Sequence, residues 1–216
     1  MAVGNLSKMT AVLGDQINYY LKLSETVHMN EFIGKSIRLE WNGRINCSSC
    51  GKITKKSFGQ GFCYNCFVSA PESAECILRP ELCRAHLGEG RDPEWEEKHH
   101  NQPHIVYLAA SSAVKVGITR VQQIPTRWID QGATSAIRLA EAGRIEIALK
   151  EFFTDKTHWQ KMLKNDIDES IDLVEEKWSL EEHLPSDILE FFSENDEITE
   201  MNYPVEEYPA TVKSRS

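Results

Sequence analysis

Four of the chain's six cysteines form Cys47-x2-Cys50, a 12-residue spacer and Cys63-x2-Cys66, and this pattern constrains the fold more than any other feature of its 216 residues. Two residues between thiolates let both sulfurs of one turn converge on a single ion. Two such knuckles complete a tetrahedral site with Zn–S distances of about 2.3 Å. Gly51 suits the tight turn after Cys50, and Gly59 and Gly61 flank the return into Cys63. One redox dithiol does not explain two matched pairs, and four thiolates leave no open position for catalysis, so the expectation is a structural zinc. Cys76 and Cys83 remain. Cys83-x2-His86 has ligand spacing, and His99-His100 follow. Cys76, Cys83, His86 and one of His99 or His100 form a second candidate zinc site; the alternative is two free cysteines beside surface histidines.

Met1 to Leu13 lacks the basic stretch and apolar run of a secretory leader, and no window has the roughly 18 apolar residues of a membrane span. The cytoplasm is the expected location, where thiols stay reduced and paired cysteines more often hold metal than disulfides. The net charge of -9 argues at first against a nucleic-acid partner. Its distribution changes that inference. Residues 1–100 carry 12 basic and 12 acidic groups, residues 101–150 carry 6 and 3, and residues 151–216 carry 6 and 18. Lys35, Arg38, Arg44, Lys52, Lys55 and Lys56 gather around the first cysteine pair, a local basic patch within an acidic whole.

Period-2 patterning predicts strands over Asn18–Leu23 and Ser36–Trp41, with Asn42-Gly43 turning the second onto Arg44–Ile45. Pro71 to Pro103 is irregular and poor in core residues. His104–Ala109 and Val114–Thr119 read as two strands; with Tyr107 opposite Lys115, Val106, Leu108, Val114 and Val116 share one face. A short helix over Arg127–Gln131 ends at Gly132, Ala136–Ala140 is a third strand, and a helix carrying Ile145, Glu146, Leu149 and Phe152 follows. Ile167, Ile171, Val174 and Trp178 make one helical stripe, Ser186 caps a further short helix, and the segment from Asn202 is extended.

Val106-Tyr107, then Lys115-Val116-Gly117-Ile118-Thr119, then Arg127, then Glu146 resemble the GIY-YIG nuclease signature in order and in their β-β-α-β-α arrangement. The resemblance implies that Tyr107 orients or deprotonates an attacking water, Arg127 meets charge on the phosphate and Glu146 holds a single Mg²⁺. Such roles suit phosphodiester hydrolysis. Ile105 stands where that signature has glycine, and Lys115 where it has tyrosine; a lysine there can contact phosphate. Singly, each residue also has an ordinary structural explanation.

The strings at 30–35 (Asn-Glu-Phe-Ile-Gly-Lys), 59–67, 79–83, 115–120 and 127–133 are similar to a bacterial and archaeal family labelled as a domain of unknown function. It joins cysteine-rich N-terminal sequence to a GIY-YIG-like domain, commonly has cysteine at the position of His100, and continues beyond the element at 203–209. The resemblance therefore implies an exchanged ligand at His100 and a shortened member. The expected fold class is α+β. A zinc-ribbon-like β module occupies 1–70, a Cys/His-rich connector 71–103, a GIY-YIG-like core 104–165 and an acidic helical extension 166–216. The leading functional expectation is a metal-dependent nuclease or phosphodiesterase using Tyr107, Lys115, Arg127 and Glu146. The alternatives are a non-catalytic nucleic-acid or ribonucleoprotein adaptor, or a protein-interaction module contacting through its acidic tail.

Overall fold

The computed structural model describes residues 1–59, 61–79, 82–141, 159–181 and 189–212. The chain is a mixed α and β protein with antiparallel sheets and few helices. It divides into two compact units: Met1–Ser36 together with Pro103–Ser216, and Ile37–Gln102. The N-terminal strands, read above as part of the cysteine module, thus belong with the C-terminal half. Among the described residues no helix is long and apolar enough to cross a membrane.

The larger unit is built on a four-stranded antiparallel sheet of β6 (His104–Ala110), β7 (Val114–Arg120), β8 (Ser135–Glu141) and β9 (Ile198–Glu200), in the order β7-β6-β8-β9. β6 is central, and residues Ile105 to Ala110 are buried on both faces, which explains its nearly unbroken apolar sequence. Tyr107 pairs with Gly117 and Ala109 with Lys115, two residues away from the expected register. A two-residue slip conserves the faces because side chains alternate with period 2. Val106, Leu108 and Val116 therefore still share one core, joined by Ile137, Leu139, Leu173 and Leu180. The opposite core holds Ile105, Tyr107, Ala109 and Ala136 against Trp128 and Ile129. Between Val106 and Tyr107 the β6–β8 register shifts by one residue, so Val106 faces Ala140 and Tyr107 faces Arg138. This bulge turns Leu139 and Ala140 into the same core.

A second sheet, β1 (Thr10–Val12), β2 (Asn18–Lys22) and β3 (Thr26–His28), belongs to this unit. Asn30 brackets β2, accepting from the Tyr19 N–H at 2.9 Å and donating to the Ile17 carbonyl at 2.8 Å. The Ile17 N–H donates in turn to the Asn202 carbonyl at 2.8 Å, tying the N-terminal sheet to the chain beyond β9. The helix α3 (Thr126–Asp130) stops at Gly132, whose φ of 66° suits glycine. The helix α5 (Leu173–Glu181) begins later than the apolar stripe suggested. Asp172 accepts from the Val174 and Glu175 N–H groups at 2.9 and 3.1 Å, so Ile167 and Ile171 lie before the helix. A short α4 (Trp159–Leu163) precedes it. The helix expected around Glu146 and the one expected from Ser186 fall outside the described residues, apart from the end of the latter.

The smaller unit contains the two-stranded β4 (Ile45–Asn46) and β5 (Ile53–Thr54), α1 (Tyr64–Ser69) and α2 (Pro93–His99). Ser36–Trp41 is not a strand, contrary to its alternating pattern. Ile37, Leu39 and Trp41 are exposed, so the pattern has no core to face. The Asn42-Gly43 turn does form, with Asn42 Oδ1 accepting from the Arg44 N–H at 3.0 Å, but β4 pairs with β5 instead. The irregular stretch after α1 is organised by hydrogen bonds rather than by a large core. Arg91 Nη1 donates to the carbonyls of Phe67 and Ala70 at 3.2 and 2.9 Å and to Ser73 Oγ at 3.0 Å. The guanidinium thereby satisfies carbonyls that the end of α1 leaves open.

Candidate metal centre

The ligand atoms of Cys47, Cys50, Cys63 and Cys66 all lie within 4.8 Å of one another. Local backbone geometry puts them there. The Gly51 N–H donates to the Cys47 carbonyl at 2.9 Å, closing the first knuckle, and Gly51 has a φ of 71°. The Ser48 N–H donates to the Gly61 carbonyl at 2.9 Å, which brings the second knuckle alongside. Cys63 then immediately precedes α1, at its N-cap position, and Cys66 sits in its first turn. The Sγ atoms of Cys50 and Cys63 are 3.9 Å apart, close to the edge of about 3.8 Å in a tetrahedron with 2.3 Å metal–sulfur bonds. The Cys63 N–H points at Cys47 Sγ at 3.2 Å.

The electrostatics fit a cation. The Cys47 thiol is drawn down to about 6, first by the Cys50 N–H and next by that of Cys63. The Cys66 thiol is pushed up to about 12, first by its hydrogen bond with Cys50 and next by burial. Sulfurs this close share protons when nothing else neutralises them. A zinc ion bound by the four residues would remove the conflict, because it would favour all four thiolates at once. The donor set therefore suits zinc and saturates it.

A second cluster lies in the same unit. The ligand atoms of Cys76, Cys83 and His100 fall within 4.8 Å of one another, with His100 Nδ1 at 3.7 Å from Cys76 Sγ and 3.9 Å from Cys83 Sγ. Burial, then Cys83, then Glu96 raise the Cys76 thiol. His86 is not in this cluster; its side chain is exposed on a 3-10 turn over Ala85–Leu87. His99 stacks on Trp95 and pairs through Nδ1 with the Trp95 carbonyl at 2.7 Å. Glu96, which no spacing rule singled out, is 2% exposed beside His100. Its only sequence mark is its place four residues before that histidine.

The residues expected to act on phosphate are distributed differently. Tyr107 is 0% exposed, and its Oη donates to Gln131 Oε1 at 2.9 Å while its ring meets Trp128 edge-on. It lies across Gly117, where an added Cβ would come 2.6 Å from the ring carbon and the hydroxyl. Lys115 is buried on the same face of β7, and loss of water holds its amine below the usual lysine value. Arg127 is exposed on α3. Glu146 lies outside the described residues. Elsewhere in this unit a cavity of about 740 Å³ is lined by Tyr19, Ile129, Met162, Leu163, Tyr203 and Tyr208, with Asp130 among its walls. Its walls come from segments far apart in the chain, so no motif announces it.

Fold and site together define a mixed α and β protein with antiparallel sheets and a four-cysteine cluster able to hold a metal ion. The chain belongs to the family described as protein of unknown function (DUF2797), whose model matches residues 34–216. No curated protein and no solved structure matches it.

Proposed function

We propose that this is a zinc-stabilised nucleic-acid-binding protein, in which the Cys47/Cys50/Cys63/Cys66 module carries the contact surface. The observation behind this reading is the coincidence of basic and aromatic groups on that module. Residues 37–70 contain five basic groups, Arg38, Arg44, Lys52, Lys55 and Lys56, against the single acid Glu40. All five are exposed. Trp41 and Tyr64 are 73% and 62% exposed, and Phe58 packs between Tyr64 and Phe67. Lys56 Nζ stands 5.2 Å from the centre of the Phe58 ring. Cations that follow a backbone, with rings on which bases stack, are what a single-stranded nucleic acid requires.

The finer expectation, a GIY-YIG-like core that cleaves phosphodiesters with Mg²⁺ at Glu146, is the second reading. The order of Tyr107 on β6, Lys115 on β7 and Arg127 on α3 supports it. The complete burial of Tyr107, with its hydroxyl committed to Gln131, favours binding over hydrolysis, because a water-activating tyrosine needs access to water.

The test is fluorescence anisotropy with labelled single- and double-stranded DNA and RNA over a salt series. Binding is expected to prefer single strands and to weaken by about 0.7 log unit per phosphate contact for each tenfold rise in salt. Replacing Arg44, Lys52, Lys55 and Lys56 together by alanine should flatten that slope. No binding at low salt refutes the proposal. Parallel incubations with Mg²⁺, Mn²⁺ or chelator separate the two readings: metal-dependent cleavage that disappears in Glu146→Ala establishes the nuclease.

A further inference from the structure

We propose that Cys76, Cys83, Glu96 and His100 bind a second zinc ion, with Glu96 rather than His86 as its fourth donor. Three distances converge on one nitrogen. His100 Nδ1 is 3.7 Å from Cys76 Sγ, 3.9 Å from Cys83 Sγ and 3.8 Å from Glu96 Oε2. Around a tetrahedral zinc with bonds of about 2.0–2.3 Å, a nitrogen donor stands about 3.5 Å from a sulfur and about 3.3 Å from an oxygen, so the thiol contacts are slightly longer than a tetrahedral edge and the carboxylate contact is about half an ångström longer.

Glu96 and His100 reach the site from one side of α2, a single turn apart, with the His100 N–H donating to the Glu96 carbonyl at 2.6 Å. The Glu96 carboxylate is buried, and a buried carboxylate requires compensation. Its Oε1 accepts from the Arg91 N–H at 2.8 Å. The Arg91 guanidinium, however, is turned to the carbonyls at the end of α1. Oε2 lies 3.8 Å from His100 Nδ1. The carboxylate also packs against the loop, where a Cβ at Gly90 would come 2.0 Å from Oε2.

Glu96 lies outside the 4.8 Å set formed by the other three ligand atoms, so ligation draws its carboxylate inward. Two thiolates, one carboxylate and a neutral imidazole are ordinary zinc donors, and together they leave no position for a substrate. The ion therefore acts as a staple. It ties two points of the irregular stretch after α1 to the end of α2, where few buried apolar side chains do so.

Zinc content, measured by native mass spectrometry and by chelator-release titration of the full chain, tests this independently of nucleic-acid binding. The wild type should carry two zinc ions per chain. Cys76→Ser/Cys83→Ser should carry one, and on cobalt substitution should keep the charge-transfer bands of the four-thiolate site. Glu96→Gln should hold its second ion roughly tenfold or more weakly, whereas His86→Ala should keep both unchanged. One zinc in the wild type, or two in Cys76→Ser/Cys83→Ser, overturns the site. Unaltered affinity in Glu96→Gln, or loss of an ion in His86→Ala, overturns the assignment of its fourth donor.

Discussion

At the scale of single residues, the contact between Tyr107 and Gly117 shows how one strand dictates the composition of its neighbour. The ring covers the position where a side chain would stand, so Gly117→Ala forces the ring out of a closed core. Overpacking of this kind costs about 1–3 kcal/mol, to be read as a lower midpoint in urea unfolding. Tyr107→Phe keeps the ring and loses the bond to Gln131, with an expected cost of about 1 kcal/mol. The fully buried Lys177 behaves differently. Its Nζ donates to Asp196 Oδ1 and to the Asn195 carbonyl, both at 2.8 Å, and that bond holds the Asp196 carboxyl below its usual value. A depressed carboxyl stabilises the fold above its unfolded-state value and loses that contribution as pH falls through its folded value. The stability gap between wild type and Asp196→Asn should therefore be full near about pH 5 and shrink toward about pH 2. A gap independent of pH over that range refutes the pairing.

At the scale of elements, helix ends and short strands set where the fold is vulnerable. α3 ends at Gly132 with a positive φ, and a Cβ there would also press on the Met162 side chain from α4. Gly132→Ala should cost about 1–2 kcal/mol for the backbone strain alone, measured as a drop in thermal midpoint. The elements of the cysteine module are much smaller. β4 and β5 have two residues each and α1 has six, too little to bury a core. Under the proposed zinc assignment, the ion supplies what burial does not. Chelation should remove amide protection in β4, β5 and α1 by hydrogen exchange, while β6 and β8 stay protected. Retained protection in the chelated module rules out zinc as its staple.

At the scale of the whole molecule, the division into units assigns separate tasks. Sheet and apolar cores build one unit; cysteine clusters and an arginine clamp build the other. The basic and aromatic side chains of the proposed contact surface all belong to the second. Loss of zinc from the four-cysteine site should therefore abolish nucleic-acid binding while the sheet unit stays folded. Anisotropy and circular dichroism on one chelated sample check both expectations together.

The four-cysteine cluster was legible in the chain because its information is local: two residues between thiols, glycines at the turns, and a short spacer. β6 and β7 were legible for the same reason, since period-2 patterning survives a two-residue error in register. The second cluster was only half legible. Cys76, Cys83 and His100 have recognisable chemistry, but the choice between His86 and Glu96 depends on how α2 lies against the loop, which spacing does not encode. Ser36–Trp41 alternates like a strand yet has no core to face, and Met1–Ser36 joins the distant C-terminal half through bonds such as Ile17 to Asn202. Ligand spacing and strand period are properties of neighbours in the chain. Register, burial and the partner of a buried carboxylate arise from long-range packing, and only the folded chain brings those groups together.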